Sequence, residues 1–263
     1  AQAVCARNYA ERQMEDYAYP EYQAHVNDST DYQVYNNSAQ QDASTEAVRE
    51  TAGEVLKYKG NIVTTYYYST SCGKTTTMKA WGTSENESNG YLQSVEVKDK
   101  NGDYEKSLPW YRWEADIDQD ILSALLAENV KKNIGTVQSL EVTKTGPGGV
   151  ALQIKTVGDK GSITVDTENK IRKALGGNGY EIKKQDGTVA QSGTLLPSAF
   201  FKVKKAGNIF KITGGGYGHG IGMSQNGANE MAKTGKNYQE ILQMFYPCLL
   251  YTSPSPRDAH ESR

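Results

Sequence analysis

The sequence predicts an α+β fold, an irregular mix of short strands, hairpins and short helices in one main globular domain. Three observations lead there. Strand-like runs recur with tight turns between them, as at Lys59-Gly60-Asn61 and Gly146-Pro147-Gly148-Gly149. The helical stretches are short, and no regular strand–helix–strand repeat appears, which argues against a doubly wound sheet. With 263 residues, 37% of them hydrophobic and 23% charged, the chain is long enough and apolar enough for a sizeable core.

Taken in order, residues 1–16 predict a helix with Ala1, Val4, Cys5 and Tyr9 on one face and Arg7 off it. Residues 17–46 are polar and rich in Tyr, Asn, Gln and Ser, a long loop with a short ordered piece at 33–35. Loops of this length wrap a surface or border a site. Residues 47–53 predict a short helix ending at a glycine, and residues 54–58 and 62–68 a hairpin. The hairpin runs into STSCGKTT at 69–76, whose hydroxyls either hold a ligand or cap and turn the chain. Strands are expected at 91–97 and from Trp110, then an amphipathic helix at 117–132 with Ile121, Leu122, Leu125 and Leu126 inward. Residues 139–145, 150–156 and 162–165 read as strands, and 166–175 as a helix stopped by Gly176 and Gly177. A hairpin of 195–203 with 208–213 follows, and a last helix at 237–246 is broken by Pro247.

Several function classes fall away. The net charge of −2 provides no basic field for nucleic acid and no polybasic membrane patch. The apolar runs are too short for a membrane span. The cysteines Cys5, Cys72 and Cys248 and the histidines His25, His219 and His260 have no metal-ligand spacing, so no metal and no cofactor is expected. Cys5 and Cys72 are either a disulfide or two buried thiols. The 18 tyrosines against 4 phenylalanines suit sugar contacts and half-buried strands alike.

The segment at 214–225, GGGYGHGIGMSQ, reads as strand, glycine loop and helix. Glycine at this density marks positive φ or a close backbone approach. No register there gives G-x-G-x-x-G, and no GK[ST] or ribose-binding acid follows, so a nucleotide module is disfavoured. Ser224 suits a helix cap.

Four segments together resemble the stage II sporulation protein D / amidase-enhancer family of bacterial cell-wall proteins. They are AQAVCARNYA at 1–10, DSTDYQVY at 28–35, the stretch from Ala47 into YYSTSCGKT ending at Thr75, and GYGHGIGMSQNGA at 216–228; Ile171-Arg172 and Leu196-Pro197-Ser198 add weaker matches. Cys5, Asn8 and Lys74 depart from the family's usual residues.

The resemblance covers residues 1–247. The 16 residues from Cys248 resemble a translated adapter read-through and are expected to be a non-native, disordered tail. What the resemblance implies is a protein outside the cytoplasmic membrane that binds peptidoglycan glycan strands. It cleaves denuded strands as a lytic transglycosylase, through a glutamic acid of raised pKa. The alternative is a non-catalytic enhancer that grips glycan and stimulates a partner amidase.

The family's acid glutamate, the lysine of its site and any membrane anchor precede the position of Ala1, so this chain is expected to bind glycan without cutting it. The residues that match the family's site are Arg7, Ser69, Ser71, Gly73, Thr75, His219, Ser224 and Gln225, all as substrate contacts.

Overall fold

The computed structural model describes residues 1–15, 17–29 and 32–252. The fold is α+β, and the described residues cluster into two compact units, those within 1–66 with 238–252 and those of 67–237.

The smaller unit is built on the helix Gln2–Gln13, which buries Val4, Cys5 and Asn8. Asn8, 0% exposed, is the clip of this unit. Its amide donates to the carbonyls of Leu56 (2.7 Å) and Val63 (3.0 Å), and its oxygen accepts from the Leu56 N–H (2.8 Å). One side chain thereby satisfies three backbone groups that are sealed from water. Replacing Asn8 by leucine strands those groups and is expected to cost about 2 kcal/mol. Faster hydrogen exchange at the Leu56 amide would report it, and an unchanged rate would count against the assignment.

Strand Val55–Tyr58 pairs antiparallel with Asn61–Ile62 through a two-residue turn in which Lys59 (φ 50°) and Gly60 (φ 86°) are both left-handed. The strand anticipated through residue 68 stops at Ile62; Tyr67 and Tyr68 pair in parallel with Met223 and Ser224 in the larger unit. The second helix runs Asp42–Glu50, earlier than anticipated, with Asp42 at the positive end of its dipole. Helix Tyr238–Phe245 buries Ile241, Leu242 and Phe245. Of the 16 residues from Cys248, Leu250–Thr252 form a strand against Val55–Lys57; the disorder expected of 253–263 concerns residues outside those described.

The larger unit is organised by a five-stranded antiparallel sheet in the order Val189–Gln191, Glu181–Lys184, Trp113–Asp118, Ile209–Gly214, Phe201–Ala206. Alternation places Trp113, Ala115 and Ile117 of the central strand in the core. A three-stranded sheet, Val137–Thr145, Ala151–Gly158 and Gly161–Asp166, and the helices Gln119–Val130 and Glu168–Leu175 complete it. Ile117 lies in the central strand instead of opening the helix, which begins after its cap, Asp118.

The strand anticipated at 91–97 does not form; apart from one bridge, Glu96 to Lys74, that stretch is irregular. The serine loop claims its backbone instead: the Thr75 N–H donates to the Val95 carbonyl (2.9 Å) and the Val97 N–H to the Gly73 carbonyl (2.9 Å).

Candidate functional site

The central strand and its neighbour Ile209–Gly214 deliver the glycine loop. Gly214 lies opposite Trp113, and a Cβ there would come within 2.3 Å of the indole, so only glycine lets the strands close. Beyond it the loop is pinned by backbone bonds. The Gly216 N–H donates to the Trp110 carbonyl (2.8 Å), and Tyr217 and Thr70 exchange a pair of bonds at 2.8 and 3.0 Å. The Thr76 N–H donates to the Gly220 carbonyl (2.7 Å). The serine loop and the glycine loop, more than 130 residues apart in sequence, are therefore one structure.

Glu105 joins them, and the sequence did not point to it. It lies in a charged turn of ordinary composition, yet it is 0% exposed. Its carboxylate accepts from the Ser71 N–H (2.9 Å), the Ser71 hydroxyl, and the Ser224 hydroxyl (2.7 Å). Ser224 Oγ in turn accepts from the Gly227 N–H (3.2 Å), capping the helix Gln225–Lys233. Burial pushes the Glu105 carboxyl up to about 7; the bonds from Ser71 and Ser224 pull the other way, and the charge of Glu230 adds to the rise.

His219 is flanked by Tyr68 and Trp81, with ring centroids 5.4 and 5.1 Å away. Its Nδ1 accepts from the Ile221 N–H (3.1 Å), which leaves Nε2 to carry the proton and donate to the Tyr67 carbonyl (3.0 Å). Burial, helped by the positive charge of Arg172, pushes its pKa down to about 4, so the ring is neutral at neutral pH. The partner of its Nε2 in the structure is thus a loop carbonyl.

The other anticipated residues are placed as follows. Ser71 and Ser224 are buried on Glu105. The hydroxyl of buried Thr75 accepts from the Val95 N–H (2.9 Å). Gly73 has φ +98° and stands where a Cβ would meet Asp103 at 2.1 Å. Ser69 is half-buried with its hydroxyl 3.1 Å from that of Thr70, and Gln225 is exposed. In the smaller unit, Arg7 donates to the carbonyls of Glu54 (2.8 Å) and Val48 (3.4 Å) and to the Thr51 hydroxyl (3.3 Å). Cys5 and Cys72 are thiols and not half-cystines; Cys5 donates to the Tyr246 hydroxyl (3.8 Å), and burial raises it to about 12. His25 stacks on Tyr17, and no group of three or more His, Cys, Asp or Glu among the described residues could hold a metal ion.

The glycine loop presents an aromatic ring to solvent. Tyr217, at the crest of the glycine loop, is 42% exposed, and its ring lies 4.8 Å from that of Trp110 at 54°. Beside it opens a cleft of about 850 Å³ bounded by Cys72–Lys74, Arg112, the Gly148–Gly149 turn, Lys183–Gln185, Phe200–Lys202 and Thr213–Gly215. Neither feature follows from spacing, because each is assembled from segments far apart in the chain.

Residues 1–58 match the family described as stage II sporulation protein, and residues 70–222 match a domain of unknown function, DUF8618. The chain belongs to the stage II sporulation protein D / amidase-enhancer family. It is 28% identical to the amidase enhancer of Bacillus subtilis over 252 residues, 87% of this chain and 35% of that protein. It is 28% identical to stage II sporulation protein D of the same organism over 260 residues, 94% of this chain and 66% of that protein. A protein of Brachyspira hyodysenteriae is 32% identical over 248 residues, 94% of this chain and 58% of that protein. The chain thus spans from about a third to just under two thirds of the length of these relatives.

Proposed function

We propose that this chain grips the glycan strands of bacterial peptidoglycan, outside the cytoplasmic membrane, in cell-wall remodelling during sporulation. The observation that carries the reading is the exposed Tyr217 ring backed by Trp110 on a glycine loop fixed by backbone bonds. A rigid aromatic face with hydroxyl groups nearby suits the apolar face and polar edge of a sugar ring. The names of the relatives, a sporulation protein and an amidase enhancer, support the wall as its setting.

In the whole protein this grip would serve strand cleavage of the lytic transglycosylase type or stimulation of a partner amidase. Within this chain the geometry favours grip over cutting. Among the described residues Glu105 is the carboxyl whose pKa is raised toward that of a general acid, and it is enclosed with both oxygens engaged. A general acid must reach the leaving oxygen, and Glu105 faces protein on all sides.

Co-sedimentation with denuded peptidoglycan tests the reading. The chain is expected to pellet with the wall and to release no anhydro-muramyl product by mass spectrometry. Tyr217→Ala is expected to weaken pelleting about tenfold, in line with the loss of one stacking face. Retention of the protein in the supernatant would overturn the glycan grip, and anhydro-muramyl release would overturn the division between gripping and cutting. A rise in the rate of an added wall amidase would favour the enhancer role.

A further inference from the structure

The cleft beside Tyr217 has a charge pattern that the chain as a whole does not. The protein carries a net charge of −2. Around the cleft stand Lys74, Lys98, Arg112, Lys183, Lys184 and Lys202, against three carboxylates, Glu96, Asp103 and Glu114. Cation is in excess by three.

The pairing shows where the excess sits. Lys74 (3.4 Å) and Lys98 (2.5 Å) share Glu96, and Lys183 (3.8 Å) shares Glu114 with Lys211 (3.1 Å). Asp103 accepts from the Tyr111 hydroxyl. Arg112 is held without a carboxylate: its guanidinium lies 3.8 Å over the Tyr111 ring and donates to the carbonyls of Cys72 (3.0 Å) and Tyr111 (2.7 Å). Lys184 lies over the Trp110 ring at 5.1 Å, the same ring that backs Tyr217. Lys202 has no ion-pair partner among the described residues. Three cations without a carboxylate within salt-bridge distance, of which Lys184 feels the charge of nearby Asp186, therefore rim a concave wall formed in part by Trp113, Phe200 and Phe201.

We propose that this cleft is an anion-binding site for a negatively charged chain of polyol or sugar units. Arg112, Lys184 and Lys202 would take its carboxylate or phosphodiester groups, and the Trp110–Tyr217 pair an adjoining ring. A concave site with an excess of one sign of charge raises the local concentration of counter-ions, and over distances shorter than about 8 Å salt screens it only in part. The cleft is large enough for a ligand of several rings, since pockets of about 300–1,000 Å³ hold drug-sized molecules. The reading rests on the glycan grip proposed above and adds to it a requirement for negative charge.

Binding by the purified chain of three fluorescent probes tests it: a neutral N-acetylglucosamine oligomer, a galacturonate oligomer and a poly(glycerol phosphate) chain. The expected result is that at least one anionic probe binds ten times or more tighter than the neutral one. Raising the salt from 50 to 300 mM is expected to weaken that binding about tenfold. The double variant Lys184→Gln/Lys202→Gln should lose about tenfold for the anionic probe and little for the neutral one. Lys144→Gln, an exposed position that is not part of the cleft's lining, should behave as the parent.

Preference for galacturonate identifies carboxylate as the charge read, and preference for poly(glycerol phosphate) identifies phosphodiester. Equal, salt-insensitive binding of all three overturns the anion site while leaving the glycan grip standing. Binding of none overturns the anion site, and the wall co-sedimentation then decides the grip separately.

Discussion

Replacing Arg172 by alanine is expected to destabilise the larger unit by about 4 kcal/mol. The Arg172 guanidinium donates to Glu168 Oε1 (2.7 Å) and to the Leu196 carbonyl (2.7 Å), and Glu168 Oε2 accepts from the Trp81 indole N–H (3.2 Å). Glu168 is 0% exposed and Arg172 nearly as buried. Removing the arginine leaves a carboxylate and a carbonyl in the interior without their donor. The helix Glu168–Leu175 then loses its side-chain tie to the segment that leads into the glycine loop and keeps only the backbone bond from the Leu196 N–H to the residue 172 carbonyl (3.0 Å) there. Urea unfolding followed by tryptophan fluorescence measures this well, because Trp81, Trp110 and Trp113 are the chain's three tryptophans and all lie in the larger unit. The double variant Glu168→Leu/Arg172→Met, which replaces both charges by apolar groups, should lose much less than Arg172→Ala. A loss below about 1 kcal/mol in Arg172→Ala would show that the pair does not hold the helix in place.

The second large effect is on pH dependence. Glu105 titrates near 7 in the folded unit against 4.5 in the ordinary state, so the folded form holds its proton more tightly than the unfolded one. A raised carboxyl contributes stability that is fully present below pH 4.5 and is lost as the pH rises through 7. The span corresponds to about 3 kcal/mol across that window. Groups that interact with Glu105 from the packed elements are Ser71, Ser224, Glu230, Tyr68 and Cys72; Tyr68 and Cys72 are both held well toward their neutral forms by burial. His219, pushed down to about 4, changes charge below the window. Glu105→Gln keeps the shape and can still accept from the Ser71 N–H, but it cannot ionise. In this variant the fall in stability between pH 5 and 7.5 should nearly vanish. A slope identical to that of the parent would sink the assignment of this titration to Glu105.

The family signatures were legible as sequence because they are local. The glycine loop needs positive φ at Gly216, Gly218, Gly220 and Gly222, which only glycine supplies at little cost, so the requirement is written into the residues themselves. The helix cap at Ser224 and the left-handed turn at Lys59-Gly60 are of the same kind. The stretch at 91–97 looks like a strand in sequence because of its apolar residues, yet it forms none. Its backbone partners, Gly73 and Thr75, lie in a loop that no periodicity connects to it. The smaller unit shows the same limit at Asn8, where an inward-facing amide in an amphipathic helix becomes a clip for two separate backbone segments.

By itself the sequence determined the mixed α+β class, the family and the strand–glycine loop–helix at 214–225, since all of these depend on residues near one another along the chain. Only the tertiary structure decided what those parts surround. Burial turned Glu105, one acid in a charged turn, into the joint between the serine and glycine loops, and it keeps His219 neutral with both ring nitrogens bonded to the backbone. Solvation energy depends on which atoms fill the space around a group. That environment here is assembled from segments separated by more than 100 residues, so folding had to bring them together before either side chain had a role.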